Sequence, residues 1–221
     1  MINIILGYML VIILELGILP IETWLHNNFE NKEIARKWGH VLCGTIIWVC
    51  SYLFLKDTIH SIIIPILYTI IVTLFDHLGF INDSRENPEI GDNPKSTPIA
   101  GIGYTLLATI SYFNPEWWLY YGLGVFSLCF GDALAALVGI KYGKYSLSLP
   151  HHKSLIGSIG FLVASIIGMI IVCLIMRINA ISILSQLIIL SIAGSIVEVF
   201  SGEWDNFLIQ VTVAVLAFIL F

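Results

Sequence analysis

Charged side chains are scarce in this sequence. Asp, Glu, Lys and Arg make up 11% of the 221 residues, while 58% are hydrophobic and the mean hydropathy is +0.93. A soluble domain of this size could not carry such a composition on its surface. The 10 basic residues, set against 15 acidic ones, also provide no basic surface large enough for nucleic acid. We therefore predict an integral membrane protein without a nucleic-acid partner.

Three familiar sequence signals are also missing. The 4 cysteines lie in apolar segments without a C-x-x-C pair, which indicates neither a disulfide framework nor a zinc site. The N-terminal segment lacks the basic region and cleavage site of a signal peptide, so we expect it to be a first span. Tyr145 follows Gly143-Lys144, so the G-x-x-x-x-G-K-[ST] pattern of a Walker ATPase is absent.

Long apolar runs account for most of the chain. Runs able to cross about 30 Å of hydrocarbon predict an all-α, polytopic membrane helical bundle of about eight transmembrane helices. The loops are too short to hold a soluble domain, so we expect residues 1–221 to form a single integral membrane domain. The predicted spans are 2–19, 37–55, 59–79, 98–113, 116–140, 154–176, 180–200 and 205–221.

The positions of the basic residues predict the orientation of these spans. Lys56 and Arg177 lie on one side, and the others lie in or beside the first, third and fifth loops. By the positive-inside rule the odd-numbered loops are cytoplasmic and both termini lie outside. The residues on the cytoplasmic side are Lys32, Arg36, Lys37, Arg85, Lys95, Lys141, Lys144 and Lys153.

One carboxylate lies deep inside an apolar run. Asp132 stands within 126–140, and the basic loop 141–153 follows. If the helix ends at Ile140, Asp132 lies about 12 Å from that end, at about 1.5 Å per residue. An ionised carboxylate at this depth is costly unless a cation, a metal or water compensates it. We interpret Asp132 as a functional residue, and a hydrogen bond between helices is the structural alternative.

Small residues recur every four positions in the fifth and sixth spans, a pattern that lets two helix backbones approach closely. We therefore predict that these two helices form a close pair, with Asp132 beside their contact. The small residues are Gly131, Ala135 and Gly139 in one span and Gly160, Ala164 and Gly168 in the other.

Acidic and basic residues gather near the predicted cytoplasmic face. Hard divalent cations bind carboxylate oxygens together with substrate phosphates, so Asp132, Glu198 and Asp205 predict a site for Mg²⁺ or another divalent cation. Carboxylate-held metal and basic side chains together are sufficient for phosphoryl transfer. The basic candidates are Arg36, Lys37, Lys144 and Lys153.

Two further groups of residues could bind phosphate. Ser154 is predicted to cap the sixth helix, whose first turn would offer free N–H donors to an anion, and Gly157 would leave room for it. Lys153 could instead be an ordinary anchor at the membrane surface. His40 lies one turn after Arg36, where it could hold a phosphate oxygen, shuttle a proton or bond a neighbouring helix.

These residues resemble the CTP-dependent lipid-alcohol kinases, the family of dolichol kinase, phytol kinase and yeast-type diacylglycerol kinase. The resemblance extends from residue 33 to residue 206, with the motifs in the family's order. The motifs are Glu33-Ile-Ala-Arg-Lys-Trp-Gly-His40, Gly131-Asp-Ala-Leu-Ala-Ala-Leu-Val-Gly139, Gly143-Lys144, Lys153-Ser-Leu-Ile-Gly-Ser158, Glu198 and Asp205-Asn206.

The resemblance implies an activity: transfer of the γ-phosphoryl group of CTP to the hydroxyl of a membrane lipid at the cytoplasmic face, with a divalent metal. The lipid would be a polyprenol, a phytol-like prenol or diacylglycerol. The choice of CTP as the nucleotide rests on the resemblance alone.

The resemblance also implies roles for individual residues. Asp132 would work with the metal, Lys144 and Lys153 would hold the triphosphate, and Glu198, Asp205 and Asn206 would bind metal or orient the lipid hydroxyl. The implied catalytic residues are Asp132, Lys153, Glu198 and Asp205. The implied nucleotide-binding residues are Arg36, Lys37, His40, Gly143, Lys144, Ser154, Gly157 and Asn206.

One position departs from the family, and two other functions compete. Family members typically carry Glu where this chain has Ile156, so the role of that Glu does not carry over to this position, and Glu203 or Glu198 could substitute for it. A cytidylyltransferase of the CDP-diacylglycerol synthase kind has a similar middle region but ends in an H-G-G…D-R-x-D pattern, which 203–206 does not match. A transporter also needs intramembrane charge, but it usually shows internal repeats and broken helices.

Overall fold

The structure, a computed structural model, describes residues 2–28, 32–77 and 96–221. Within these ranges the regular elements are helical and no β-strand occurs, so the predicted all-α class is confirmed. Each α-helix covers the position of one predicted span. The helices are α1 Ile2–Asn28, α2 Lys32–Cys50, α3 His60–His77, α4 Ser96–Phe113, α5 Trp117–Tyr142, α6 Leu155–Ile175, α7 Leu184–Phe200 and α8 Asp205–Leu220.

Four helical segments of the described chain are long and apolar enough to cross a membrane, which is consistent with an integral membrane protein. They are Lys37–Leu55, Trp117–Tyr145, Leu155–Ile175 and Gly202–Leu220. The remaining apolar helical segments are shorter, between 10 and 17 residues, and are Ile2–Ile18, His60–Leu74, Pro98–Phe113 and Leu184–Phe200.

The chain divides into two compact units, Met1–Pro115 and Glu116–Phe221. In the first unit, α1 packs against α2 and against the π-helical turn Ser51–Leu55 that continues α2, while α3 packs against α4. That the whole chain forms one membrane domain stays a prediction.

In the second unit the four helices α5 to α8 enclose a shared core. Helix α5 packs most extensively against α6 and also against α8, and α7 contacts both α6 and α8. Most of α5 is buried from Trp118 to Ala135, which explains why its apolar residues show no single exposed face.

Close contact between α5 and α6 depends on their small residues, as predicted. A Cβ at Gly168 would lie 2.8 Å from the carbonyl oxygen of Phe126, and one at Gly157 would lie 3.0 Å from that of Ala135. Any larger side chain would push the two backbones apart, so the predicted close pair is confirmed.

Three buried serines join α5, α6 and α7 through their hydroxyl groups. Ser127 and Ser165 share a hydrogen bond of 2.7 Å between their Oγ atoms, and Ser191 Oγ donates to Ser165 Oγ at 3.1 Å. These bonds satisfy polar groups in an otherwise apolar interior, where an unpaired hydroxyl would be costly.

A short, well-bonded connection joins α5 to α6. Ser148 and Ser154 form an antiparallel β-bridge, and the Leu149 N–H donates to the Lys153 carbonyl oxygen at 2.8 Å. His151 adopts the left-handed region, with φ 52° and ψ 40°, where the chain reverses. The connection thereby fixes the position at which Lys153 precedes α6.

Candidate functional site

Lys153 lies against two carboxylates within the second unit. Its Nζ is 2.5 Å from Glu198 Oε1 and 3.5 Å from Asp205 Oδ2. Glu198, near the end of α7, is 2% exposed, and Asp205, the first residue of α8, is 17% exposed. The Lys153 side chain retains 27% exposure, so its ammonium group lies between the buried Glu198 carboxylate and the outside.

Asp132 adds a third carboxylate from α5. Its side chain is 3% exposed, and its charge acts on both Lys153 and Glu198. Because α5 continues to Tyr142, Asp132 lies about 15 Å from the helix end at about 1.5 Å per residue. The structure thus brings together the four residues predicted to be catalytic. Asp132 lies in α5, Lys153 just before α6, Glu198 in α7 and Asp205 at the start of α8.

The charge state of Lys153 follows from these neighbours. Burial lowers the pKa of the ammonium group, but the charges of Glu198, Asp132 and Asp205, together with the hydrogen bond to Glu198, raise it by more. The net pKa of Lys153 therefore lies above the ordinary range of lysine, and the side chain is a permanent cation at neutral pH.

Backbone and amide groups hold Asp205 and Asn206 at the start of α8. The Asn206 N–H donates to Asp205 Oδ1 at 2.7 Å, and the buried Gln210 side chain donates through Nε2 to the Asn206 carbonyl oxygen at 2.7 Å. The preceding turn reverses at Gly202, whose φ is +54°, and a Cβ there would lie 3.4 Å from the His151 ring. This contact places the loop before Lys153 beside the turn before Asp205.

The first turn of α6 differs from the prediction. Ser154 caps the helix as expected, accepting from the Gly157 N–H at 3.2 Å. However, the Ile156 N–H donates to Ser146 Oγ at 3.0 Å, and the Leu155 N–H donates to the Leu147 carbonyl oxygen at 3.0 Å. The prediction of free N–H donors for an anion is therefore wrong for this conformation, because the connecting loop already satisfies them.

The structure gives Gly157 and Gly143, two predicted nucleotide-binding residues, a role in packing. Gly157 is buried against Ala135 of α5 rather than open to a ligand, and a Cβ at Gly143 would lie 3.2 Å from Ser154 Oγ. Both glycines are needed for close approach of the chain near the α6 cap. Lys144 is exposed, with its Nζ 4.9 Å from the centre of the Tyr145 ring.

The remaining nucleotide-binding candidates lie in α2, in the first unit. Lys37 is buried there, at 7% exposure. The side chains of Arg36 and His40 lie outside the described part of the structure. A phosphate-binding role for these three residues stays a prediction, and the basic residues Arg85 and Lys95 of the third loop fall outside the described residues.

The two residues predicted to substitute at the Ile156 position, Glu198 and Glu203, differ in where they lie. Ile156 uses its backbone N–H to bond Ser146, and its side chain cannot act as an acid or a ligand. Glu203 is exposed, whereas Glu198 contacts Lys153 directly. Of the two predicted substitutes, Glu198 is therefore the one that lies beside Lys153.

The carboxylates of this site are of the donor type that a hard divalent cation prefers, but their arrangement is not that of a metal site. Asp132, Glu198 and Asp205 provide carboxylate oxygens, the ligands that Mg²⁺ prefers. Glu198 Oε2 is buried and makes no hydrogen bond, so one oxygen is available to a cation. In the described ranges no group of His, Cys, Asp and Glu side chains could hold a metal ion. The three carboxylates lie around the Lys153 ammonium instead.

The sequence analysis assigned no role to two polar residues beside this site. Ser158 follows Ser154 by one helical turn, and its hydroxyl is buried without a hydrogen-bond partner. Ser195, one turn before Glu198, donates to the Ser158 carbonyl oxygen at 3.5 Å. Their one-turn spacing from Ser154 and Glu198 is visible in the sequence, but a serine in a membrane helix is too common to stand out.

Comparison of the whole chain with family models, curated proteins and solved structures yields no match.

Proposed function

We propose that this protein is a membrane enzyme that transfers the γ-phosphoryl group of CTP to the hydroxyl of a membrane lipid alcohol, belonging with the lipid-alcohol kinases it resembles. The observation that supports this is the meeting of Lys153 with Glu198, Asp205 and Asp132 inside a helical unit. A buried acidic group of this kind has no evident structural purpose, since apolar residues would stabilise the interior as well.

We further propose that all eight helices cross the membrane, with both termini outside and the site at the cytoplasmic face. Glu198 and Asp205 flank the turn between α7 and α8, and Lys153 ends the loop before α6. Lys141 in the last turn of α5 and Lys144 just after that helix lie at the start of the same connection, and the positive-inside rule favours the cytoplasm for them. A CTP-dependent enzyme requires this orientation because its nucleotide is cytoplasmic.

In the proposed reaction the lipid hydroxyl oxygen attacks the γ-phosphorus of CTP, the bond from that phosphorus to the bridging oxygen breaks, and CDP leaves. The proton of the hydroxyl passes to Glu198 or Asp205. Lys153 exchanges a carboxylate contact for a phosphate oxygen and neutralises the charge on the transferring group. The divalent cation, held by Asp132 with Glu198 or Asp205, would neutralise charge on the phosphates.

The test uses the purified full chain with Mg²⁺, a panel of prenols and diacylglycerol, and CTP labelled in separate samples at the γ- or the α-phosphate. A kinase transfers the γ-label to lipid and releases CDP. Transfer of the α-label with release of pyrophosphate would instead identify a cytidylyltransferase. Absence of transfer from any nucleoside triphosphate to any of the alcohols would refute the proposal.

Variants connect the activity to the site. Asp132→Asn and Lys153→Ala are expected to abolish phosphorylation, because each removes a charge from the buried group. Lys141→Gln is the matched control, since Lys141 is exposed and its Nζ lies 5.2 Å over the Tyr142 ring. Size-exclusion chromatography and circular dichroism would check that each variant is folded. Full activity in Asp132→Asn would reject the site assignment.

A further inference from the structure

The connection that follows α5 presents apolar side chains to the outside. Tyr145 is 78% exposed and Leu147 is 67% exposed. Both lie beyond Tyr142, the last residue of α5, and the apolar span Trp117–Tyr145 ends at the first of them. Aromatic side chains are enriched where a spanning helix reaches the lipid headgroups, because the ring is apolar and the hydroxyl is polar. Tyr145 and Leu147 are therefore suited to the border between headgroups and hydrocarbon.

Positive charge accompanies these apolar groups. Lys144 is exposed, and its Nζ lies 4.9 Å from the centre of the Tyr145 ring. Lys141 precedes it by three residues, and no Asp or Glu occurs between residues 133 and 153. The connection therefore carries charge that neighbouring residues of the sequence do not neutralise, and anionic headgroups attract such charge at a membrane surface. A lysine there keeps its apolar stem near the hydrocarbon and its ammonium group among the headgroups.

Hydrogen bonds hold this part of the connection against the start of α6. The Ser146 N–H donates to the Gly143 carbonyl oxygen at 3.0 Å, and Ser146 Oγ accepts from the Ile156 N–H at 3.0 Å. The Leu155 N–H donates to the Leu147 carbonyl oxygen at 3.0 Å. The exposed side chains thus project from a backbone that is already ordered, so a partner that binds them does not have to order the loop.

We propose that Lys144, Tyr145 and Leu147 form a binding surface for the headgroup region of an anionic phospholipid. The Lys144 ammonium group pairs with the lipid phosphate, while Tyr145 and Leu147 contact the glycerol backbone and the adjoining part of the acyl chains. The resemblance assigns Lys144 to a triphosphate, whereas this surface gives it a lipid phosphate. The inference goes beyond the proposed reaction and does not depend on it.

The test is binding of two fluorescent phospholipids to the purified full chain in neutral detergent, followed by anisotropy. One is phosphatidylglycerol, which is anionic, and the other is phosphatidylcholine with the same acyl chains, which is zwitterionic. The ratio of their affinities separates headgroup charge from apolar contact. Lys144→Gln should lower the preference for phosphatidylglycerol by about fivefold. Tyr145→Ser should weaken both lipids by similar factors, because it removes an apolar contact that both lipids share.

The matched control is Lys56→Gln. Lys56 is also exposed, and its Nζ lies 5.0 Å from the centre of the Tyr52 ring, but Asp57 follows it directly. This variant should change the ratio by less than about twofold, because the neighbouring carboxylate offsets the charge. An equal fall for Lys56→Gln, or no fall for Lys144→Gln, would overturn the inference. It is also wrong if the unchanged protein shows no preference for phosphatidylglycerol.

Excess CTP distinguishes the two partners assigned to Lys144. CTP should leave phosphatidylglycerol bound to the unchanged protein, as should sodium sulfate at the same ionic strength. Displacement by CTP but not by sulfate would return Lys144 to the nucleotide and overturn the inference. Phosphorylation is not measured in this experiment, so a negative result leaves the proposed function standing, and that function is tested separately by transfer of the γ-label.

Discussion

Replacing Lys153 by methionine tests whether its ammonium group holds the acidic residues in place. Methionine keeps an unbranched apolar side chain, one heavy atom shorter than that of lysine, and removes the charge that lies 2.5 Å from Glu198 Oε1. Glu198 is 2% exposed and would lose the cation that compensates its carboxylate. Breaking a buried ion pair typically costs about 3–5 kcal/mol. We expect about 3 kcal/mol, the low end of that range, because Lys153 keeps 27% exposure.

The assay is thermal unfolding in detergent, followed by tryptophan fluorescence. At about 2–4 °C per kcal/mol, Lys153→Met should lower the melting temperature by about 6–12 °C. Adding Glu198→Gln to this variant should recover more than half of the loss, since the uncompensated charge is then absent. Lys144→Met, a change at an exposed lysine, should shift it by less than about 2 °C. A simple sum of the two single effects in the double variant would refute the ion-pair argument.

Three other predictions follow from the described contacts. Gly168→Ala should destabilise the protein by about 1–3 kcal/mol, because its Cβ would meet the Phe126 carbonyl oxygen at 2.8 Å. Gly17→Ala is the control and should not destabilise it, because no atom lies within 4 Å of a Cβ at that position. Equal melting temperatures for the two variants would contradict the close packing at Gly168. Ser154→Ala should cost about 1 kcal/mol through loss of the α6 cap, measured by the same unfolding assay. Because its neighbours raise the pKa of Lys153, the stability that its charge confers is lost only as pH rises through that raised value. The melting difference between Lys153→Met and the unchanged protein should thus persist from about pH 7 to about pH 10, and a decline by about pH 9 would contradict it.

Features encoded by neighbouring residues were predictable from the sequence. The apolar runs predicted the positions of the helices, Ser154 predicted the start of α6, and the repeated small residues predicted the α5–α6 contact. These signals work because a helix, its cap and its small-residue ridge each depend on residues within one or two turns.

Features that depend on distant residues were not predictable. The N–H groups of the α6 first turn bond Ser146 and Leu147, which required the loop to fold back on the helix. The direct contact of Lys153 with Glu198 depends on how α6 and α7 are rotated against each other. The orphaned hydroxyl of Ser158 could not be foreseen, because a sequence shows which polar atoms exist but not which of them stay unpaired.

The hydrogen bonds among Ser127, Ser165 and Ser191 have a consequence for how α5, α6 and α7 are aligned. The three hydroxyl oxygens meet while each helix keeps its present rotation about its own axis, so turning one helix would break these hydrogen bonds. Glu198 follows Ser191 by seven residues, about two turns, and so projects from nearly the same side of α7. These hydrogen bonds therefore fix the rotation of each helix about its axis, and with it the direction in which Glu198 points.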